Sequence, residues 1–257
     1  MQSAAFRALA LDAKYDAREV APPELEAVLE MLHEEGYAGL NLTAPLKEAV
    51  WPLLAGATPE AESLRSVNTL KRLGKGWEGH ATDGLGFASW ARDVSLVTPR
   101  ARVLVVGAGG AARAAAPYLA ALGASAVTVI ARSASRAAAV TALGERRNGG
   151  TAWSAMGLED HPEVGPFDLL VRTLSIPTLA SGEESWWRAL AEGAVLFDMN
   201  YGPRADTVRR AADAAKLRHM DGLGMLLHQG ALSFTYWTGR EAPLDAMRLA
   251  LERAAGT

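Results

Sequence analysis

The sequence predicts an α/β protein of two domains, and three features of the chain support this prediction. The first 84 residues mix short strands of alternating polarity with amphipathic helices. Residues 102–136 follow as strand, tight turn, helix and strand in one compact unit. Later apolar runs at 167–174 and 194–201 fit further parallel strands buried on both faces, with a helix over 186–193 between them. The expected domain limits are 1–84, 85–221 and 222–257, the last a helical tail.

Composition and charge narrow the functions that the chain can have. Its 257 residues, 49% hydrophobic and 21% charged, are ordinary for a globular protein large enough for two cores. A net charge of −3 argues against a general nucleic-acid or membrane-surface binder, and no apolar run approaches the ~20 residues that span a bilayer. The lack of cysteine excludes disulfides and thiolate metal sites, and the histidines are not spaced as metal ligands, so we expect no metal. The expected compartment is the cytoplasm.

A glycine-rich turn follows the first strand of the compact unit. After an apolar strand at 103–106, Gly107, Gly109 and Ala112 match the pattern G-x-G-x-x-A. The first small residue allows a tight turn, the second lets the backbone approach a pyrophosphate, and the third lets helix and strand pack closely. The N–H groups that begin the next helix attract phosphate. The pattern predicts a Rossmann-type unit whose pyrophosphate contacts are Gly107, Ala108, Gly109, Gly110 and Ala111.

The residues after the second strand of this unit indicate which dinucleotide binds. An NAD site usually places an Asp or Glu there, bonded to the ribose 2′-hydroxyl. This chain instead reads Ala-Arg-Ser-Ala-Ser-Arg over 131–136, with no acid. Guanidinium groups and hydroxyls suit a 2′-phosphate, so Arg132, Ser133 and Arg136 predict NADP(H) as the cofactor. The alternative is that these arginines only begin an exposed helix.

A lysine and an aspartate in the first domain are candidates for catalysis. Only five of the 26 basic residues are lysine, and Lys47 stands just beyond a short strand that Pro45 ends. A lysine can give up its proton, whereas an arginine in a protein cannot. Asp83 and Asn68 add polar groups near the ends of other strands. Each of these residues alone is also compatible with a solvated loop.

Six short motifs follow one another along the chain in a fixed order. They read NLTAPLK, SVNT, GHATDGLG, GAGGAARA, DMNY and DGLGMLLHQGA, and WTG at 237–239 extends the set. The order and spacing of these motifs resemble those of shikimate dehydrogenases, and the resemblance covers nearly the whole chain. The resemblance implies two α/β domains with a cleft between them, the last helices returning to the N-terminal substrate domain. It also implies reversible reduction of 3-dehydroshikimate by NADPH, a step toward chorismate and aromatic amino acids.

The same resemblance implies roles for individual residues. Lys47 and Asp83 are the expected catalytic pair. A ketone that is reduced develops negative charge on its oxygen and needs a cation and a proton nearby, and which of the two residues moves the proton is left open. The expected substrate-binding residues are Thr43, Asn68, Tyr201 and Gln229, and Gly222 and Met225 are expected beside the nicotinamide. The expected partner is a small-molecule substrate, bound by a monomer or homodimer.

The chain departs from the family pattern in three places. The family begins with a strand and a Ser-x-Ser-Pro motif, and this chain aligns from just after it, which we interpret as a lost start. Ala81 replaces an asparagine and is expected to remove a substrate contact. Arg172 replaces another near the cofactor, where it could meet a phosphate or block the site. The alternatives are therefore an enzyme for quinate or another hydroxylated ring acid, and a non-catalytic NADP(H)-binding protein.

Overall fold

The structure, a computed structural model, describes residues 1–147, 150–158 and 165–256. The chain divides into two compact units, the first formed by 1–86 and 227–251 and the second by 87–226 and 252–257. Each unit holds one sheet and several helices, which confirms the predicted α/β class with two domains. The limits at 84/85 and 221/222 themselves stay predictions. None of the helices in the described ranges is long and apolar enough to cross a membrane.

Strands and helices alternate along the described chain. The strands are β1 (Gly39–Asn41), β2 (Gly56–Ala57), β3 (Thr69–Arg72), β4 (Trp77–His80), β5 (Arg102–Val106), β6 (Ala126–Ala131), β7 (Ala152–Gly157), β8 (Phe167–Arg172), β9 (Leu190–Asp198) and β10 (Arg218–Asp221). The helices are α1 (Gln2–Ala8), α2 (Leu25–Glu34), α3 (Leu46–Ala49), α4 (Pro59–Leu64), α5 (Asp83–Asp93), α6 (Gly110–Leu119), α7 (Ala134–Arg147), α8 (Glu183–Trp187), α9 (Asp206–Ala214), α10 (Leu223–Thr238) and α11 (Leu244–Ala255). Short 3-10 helical turns cover Pro22–Glu24, Trp51–Leu53 and Gly202–Arg204.

The first unit is built on a small mixed sheet and closed by the C-terminal helices. Its strand order is β1-β3-β4-β2, with β3 antiparallel to β1 and β4, and β2 parallel to β4. Phe6 of α1, Phe234 of α10 and Met247 of α11 share one buried core, in which the two phenyl rings lie 5.6 Å apart. The return of the last helices to the first unit is what the family resemblance implies.

The second unit holds a six-stranded sheet whose pairings are all parallel. Its order is β10-β9-β8-β5-β6-β7, and the β5 residues Val103–Val106 are fully buried between β8 and β6. From β5 the chain runs outward to β6 and β7, then returns to the other side of β5 as β8. Open parallel sheets bind ligands beyond the carboxyl ends of the strands at such a reversal of order. The crevice between β5 and β8 is therefore where a ligand of this unit is expected.

The helix predicted over 186–193 is only partly correct. Helix α8 ends at Trp187, and residues from Leu190 onward belong to β9. Leu190 pairs with Phe167, ahead of a register shift between β8 and β9, so the chain enters the sheet where its local sequence favours a helix. Tertiary pairing in the sheet outweighs the helix propensity of the Ala-Leu-Ala-Glu stretch, which amounts to a few tenths of a kcal/mol per residue.

Candidate active site and dinucleotide site

Lys47 and Asp83 form a close ion pair in the first unit. Pro45 ends the β1 segment, and Lys47 follows within the single turn of α3. Asp83 is the first residue of α5, where a carboxylate is favoured by the positive end of the helix dipole. Lys47 Nζ lies 2.5 Å from Asp83 Oδ2, and the two side chains are 26% and 17% exposed. The pair is therefore desolvated in part and still open to a small molecule.

Asn68 joins this ion pair to Gln229. Its Nδ2 donates to Asp83 Oδ1 at 2.9 Å and to Gln229 Oε1 at 3.2 Å. The backbone N–H of Thr82 donates to Asn68 Oδ1 at 2.7 Å, which sets the direction in which the amide points. Each oxygen of Asp83 thus accepts a hydrogen bond, one from an amide and one from the ammonium of Lys47. This is the arrangement of a carboxylate that holds an ammonium in place.

Helix α10 approaches this cluster because of a glycine. A Cβ built at Gly86 would lie 2.5 Å from the backbone nitrogen of Gln229, so only glycine allows the first turn of α5 to lie this close to α10. The structure brings together the four residues that were predicted to share one site, namely Lys47, Asp83, Asn68 and Gln229. Their roles in binding and catalysis stay predictions.

A buried layer of hydroxyls beneath the cluster was missed by the sequence analysis. The oxygens of Thr69 and Ser233 lie 2.8 Å apart, and each is 3.2 Å from Thr82 Oγ1. Asn41 Nδ2 donates to both Thr69 Oγ1 and Ser233 Oγ at 3.1 Å. The only indication in the sequence is that Asn41, Thr69 and Thr82 fall inside three of the six short motifs. The layer anchors Asn68 and Gln229 from below, since Asn68 Nδ2 also donates to Thr82 Oγ1 at 2.9 Å.

Three other positions of interest lie outside this cluster. Thr43 is exposed at the end of the β1 segment, and its carbonyl accepts from the N–H of Leu46. Tyr201 belongs to the second unit, follows β9 and is 40% exposed. Ala81 stands where the family has an asparagine that was expected to contact the substrate. The residue is only 4% exposed, so this position is not open here. Within the described ranges, no group of three or more His, Asp or Glu side chains is arranged to hold a metal ion.

The glycine turn of the second unit has the form that a pyrophosphate site needs. Gly107 adopts a φ of +110°, which favours glycine, directly after β5. At Gly109 and Gly110 no atom of the described residues lies within 4 Å of an added Cβ, so the backbone of this turn is open. Helix α6 begins at Gly110 and offers its first N–H groups to an anion, with Ala108 and Ala111 half-buried beside it. A pyrophosphate therefore fits this turn.

The residues predicted to select the cofactor follow β6. Arg132 and Arg136 are exposed, and among the described residues neither guanidinium forms an ion pair. Ser133 lies between them, with its hydroxyl 2.7 Å from that of Ser135. Two exposed guanidinium groups beside hydroxyls fit a 2′-phosphate better than a 2′-hydroxyl.

Gly222 and Met225 lie where β10 leads into α10. A Cβ at Gly222 would be 2.3 Å from the carbonyl oxygen of Met199, so this glycine lets the helix begin against the end of β9. Met225 is half-buried in the first turn of α10. Their expected contact with the nicotinamide stays a prediction.

The expectation that Arg172 meets a phosphate or blocks the site is wrong. Its side chain is fully buried, with Nε 2.6 Å from Glu183 Oε1 and Nη1 3.3 Å from Asp198 Oδ1. A guanidinium already enclosed by two carboxylates neither meets a cofactor phosphate nor fills the opening of the site. The family pattern alone could not indicate this, because the two acids come 11 and 26 residues later in the chain.

The parallel sheet, its open glycine turn and the two arginines define an α/β protein of the Rossmann type that binds a phosphorylated dinucleotide. Three family descriptions match successive parts of the chain: "Shikimate dehydrogenase substrate binding domain" over 1–70, "Shikimate / quinate 5-dehydrogenase" over 91–221 and "Shikimate 5'-dehydrogenase C-terminal domain" over 222–252. The chain belongs to the shikimate dehydrogenase family.

Individual relatives agree with this assignment. A protein of Geobacter metallireducens named shikimate dehydrogenase (NADP(+)) is 39% identical over 256 residues, covering 96% of this chain and 88% of the relative. The crystal structure of a shikimate 5-dehydrogenase from Thermus thermophilus in complex with shikimate is similar with a TM-score of 0.81 at 29% identity, covering 99% of this chain and 92% of that one. A ligand-free 5-ketofructose reductase of a Gluconobacter species reaches a TM-score of 0.78 at 27% identity, with coverage of 98% and 92%.

Proposed function

We propose that this protein catalyses the reversible, NADP-dependent reduction of 3-dehydroshikimate to shikimate, a reaction of chorismate and aromatic amino acid biosynthesis. The observation that carries the proposal is the contact between Lys47 Nζ and Asp83 Oδ2 at 2.5 Å, with Asn68 and Gln229 beside it. Membership of the family and relatives named NADP(+) shikimate dehydrogenases support the same reaction.

Lys47 is the residue that we assign to proton transfer. When bound, NADPH supplies a hydride to the carbonyl carbon. The carbonyl oxygen then gains negative charge, which the ammonium of Lys47 stabilises and to which it gives a proton. In the reverse direction the neutral amine takes the proton of the substrate hydroxyl. Asp83 orients the ammonium, since both of its oxygens already accept hydrogen bonds.

The hydroxyls of the ring are assigned to amide and hydroxyl side chains. An amide both donates and accepts, so Asn68 and Gln229 suit a polyol. Asn68 turns its Nδ2 toward Asp83 and Gln229, which aligns these groups before substrate arrives. Thr43 and Tyr201, both exposed, are proposed to complete the substrate contacts.

The cofactor is assigned to the second unit. The turn from Gly107 to Ala111, open at Gly109 and Gly110, is proposed to hold the pyrophosphate, and Arg132, Ser133 and Arg136 the 2′-phosphate. We expect Arg132→Ala to raise the KM for NADPH by about ten- to a hundredfold, the value of one or two charge-assisted hydrogen bonds, and to leave the KM for NADH unchanged. Arg209→Ala, an exposed arginine on α9, serves as the matched control. An equal rise for NADH and NADPH would contradict the assignment.

The reaction itself is tested by following the absorbance of NADPH with a panel of substrates. We expect oxidation of shikimate with NADP+ at a kcat/KM at least about tenfold above that for quinate, a difference of 1.4 kcal/mol in transition-state binding. No turnover with any member of the panel, despite NADPH binding, would favour a non-catalytic NADP(H)-binding protein.

A second candidate is a dehydrogenase for quinate or a related polyhydroxy compound. The matching family description includes quinate, and the similar 5-ketofructose reductase is named for a substrate outside the shikimate group. A panel in which quinate or an open-chain keto sugar exceeds shikimate would favour this candidate. We further propose that the protein acts in the cytoplasm, as a monomer or homodimer. Size-exclusion chromatography with light scattering would test the oligomeric state, and fractionation of cells that express the protein would test the compartment.

A further inference from the structure

Arg172 lies at the centre of a buried charge cluster in the second unit, at the carboxyl end of β8. The side chains of Arg172, Glu183 and Asp198 are all 0% exposed. Nε and Nη2 donate to the two oxygens of Glu183 at 2.6 and 3.3 Å, and Nη1 donates to Asp198 Oδ1 at 3.3 Å. One buried cation thus faces two carboxylates.

The same guanidinium binds the backbone of the segment that follows. Residues 173–182 connect β8 to α8 and contain neither helix nor strand. Arg172 Nη2 donates to Thr178 O at 2.7 Å, and Nη1 to Ile176 O at 3.2 Å. Asn200 Nδ2 donates to Leu174 O at 2.8 Å. In a helix or sheet, backbone N–H groups would donate to these carbonyls. Here side chains donate to them instead, and they hold the segment in one conformation.

This segment packs directly on the glycine turn. The N–H and the hydroxyl of Thr173 both donate to Val106 O at 2.9 Å. A Cβ at Gly107 would lie 2.3 Å from Thr173 Oγ1 and 3.3 Å from Leu174 Cδ2. Because β5 and β8 are the neighbours at which the strand order reverses, the start of the segment borders the crevice in which such sheets bind their ligand.

We propose that Arg172 is a positioning residue for the dinucleotide, because it fixes residues 173–182 as a wall of the site beside Gly107. The identity of the ligand as NADP(H) rests on the proposed function. A wall that is already ordered in the free protein saves the loss of conformational freedom on binding. Lysine cannot replace it, since it has three donors on one nitrogen, whereas arginine spreads five donors over a rigid fork.

Arg172→Lys tests the proposal with the charge kept and the fork removed. We expect the Kd for NADPH, measured from its fluorescence without turnover, to rise about tenfold, while kcat at saturating NADPH and the KM for shikimate stay within about twofold. Hydrogen exchange of the amides at 173–182 should quicken in the free variant and slow again with NADPH. Arg209→Lys, on exposed α9 of the same unit, should change none of these values.

A purely structural role predicts a different result. A folded Arg172→Lys protein with a lowered Tm but an NADPH Kd within about twofold of the wild type would overturn the proposal. Should that variant not fold, Arg172→Met with Glu183→Gln and Asp198→Asn removes the charges of all three side chains at once, and the same rise in Kd is expected. A wild-type protein that binds NADPH without oxidising shikimate contradicts only the proposed reaction. A wild-type protein that does not bind NADPH overturns the role of Arg172.

Discussion

Two clusters in this chain each hold a cation against carboxylates, and they differ in their access to water. Lys47 and Asp83 are 26% and 17% exposed, whereas the side chains of Arg172, Glu183 and Asp198 are fully buried. A pair that a small molecule can reach is able to exchange a proton with it. A sealed cluster exchanges no proton with a substrate, and its charges act only on the backbone and side chains around them. The comparison separates an ion pair suited to chemistry from one that organises a loop.

The cation in each cluster suits its surroundings. Lysine can lose its proton, which the reaction assigned to Lys47 requires. Arginine remains charged and has five donors, which suits the burial of Arg172 among carboxylates and carbonyls. Lysine is the minority cation in this chain, five of 26 basic residues, so its presence at the exposed pair is informative.

The largest expected effect comes from removing the exposed cation. Lys47→Ala should lower kcat by about 10²–10⁴-fold, the range for loss of a positioned proton donor, because neither the charge nor the proton is then supplied. NADPH affinity and Tm should stay near those of the wild type, since the pair is partly solvated. Steady-state kinetics and thermal melts measure both, with the exposed Lys75→Ala as control. A rate close to normal would remove Lys47 from the mechanism.

The next effect is on stability and concerns the buried cluster. Glu183→Ala should lower the free energy of unfolding by about 3–5 kcal/mol, because two buried donors of Arg172 and the N–H of Ala180 lose their acceptor. Asp83→Ala should destabilise less, since its partner Lys47 can turn toward water. Urea unfolding of both variants measures the difference. Equal losses of stability would mean that burial does not distinguish the two clusters.

The smallest effect is a dependence of stability on pH. Burial raises the pKa of Asp198 above its ordinary value of 3.8, while Arg172 and hydrogen bonds from Asn200 oppose the rise. Between its unfolded and its raised folded pKa the native chain binds the proton more tightly than the unfolded chain, so this group's contribution makes stability fall as pH increases through that window. Asp198→Asn should remove this contribution. Urea midpoints of the two proteins, compared across the acidic range above pH 3.8, give the test. Identical pH profiles would show that Asp198 does not titrate differently on folding.

Parts of the site that depend on neighbouring residues in sequence were predictable. The turn from Gly107 and the arginines after β6 follow from local geometry and charge, and the structure has them at the ends of β5 and β6. The helix predicted over 186–193 was wrong after Trp187, because pairing of Leu190 with Phe167 draws this stretch into the sheet. The expected contact of Arg172 with a phosphate was wrong because a sequence pattern does not indicate which side chains will enclose it.

The sequence by itself determined the alternation of strands and helices, the glycine turn and the charge beside it, since each depends on residues a few positions apart. Only the tertiary structure decided that Lys47 and Asp83, 36 residues apart, stay partly open to water, while Arg172 is enclosed by Glu183 and Asp198. The physical reason is desolvation. Every lysine and arginine carries the same charge in the sequence, and the folded chain decides which of them water still reaches.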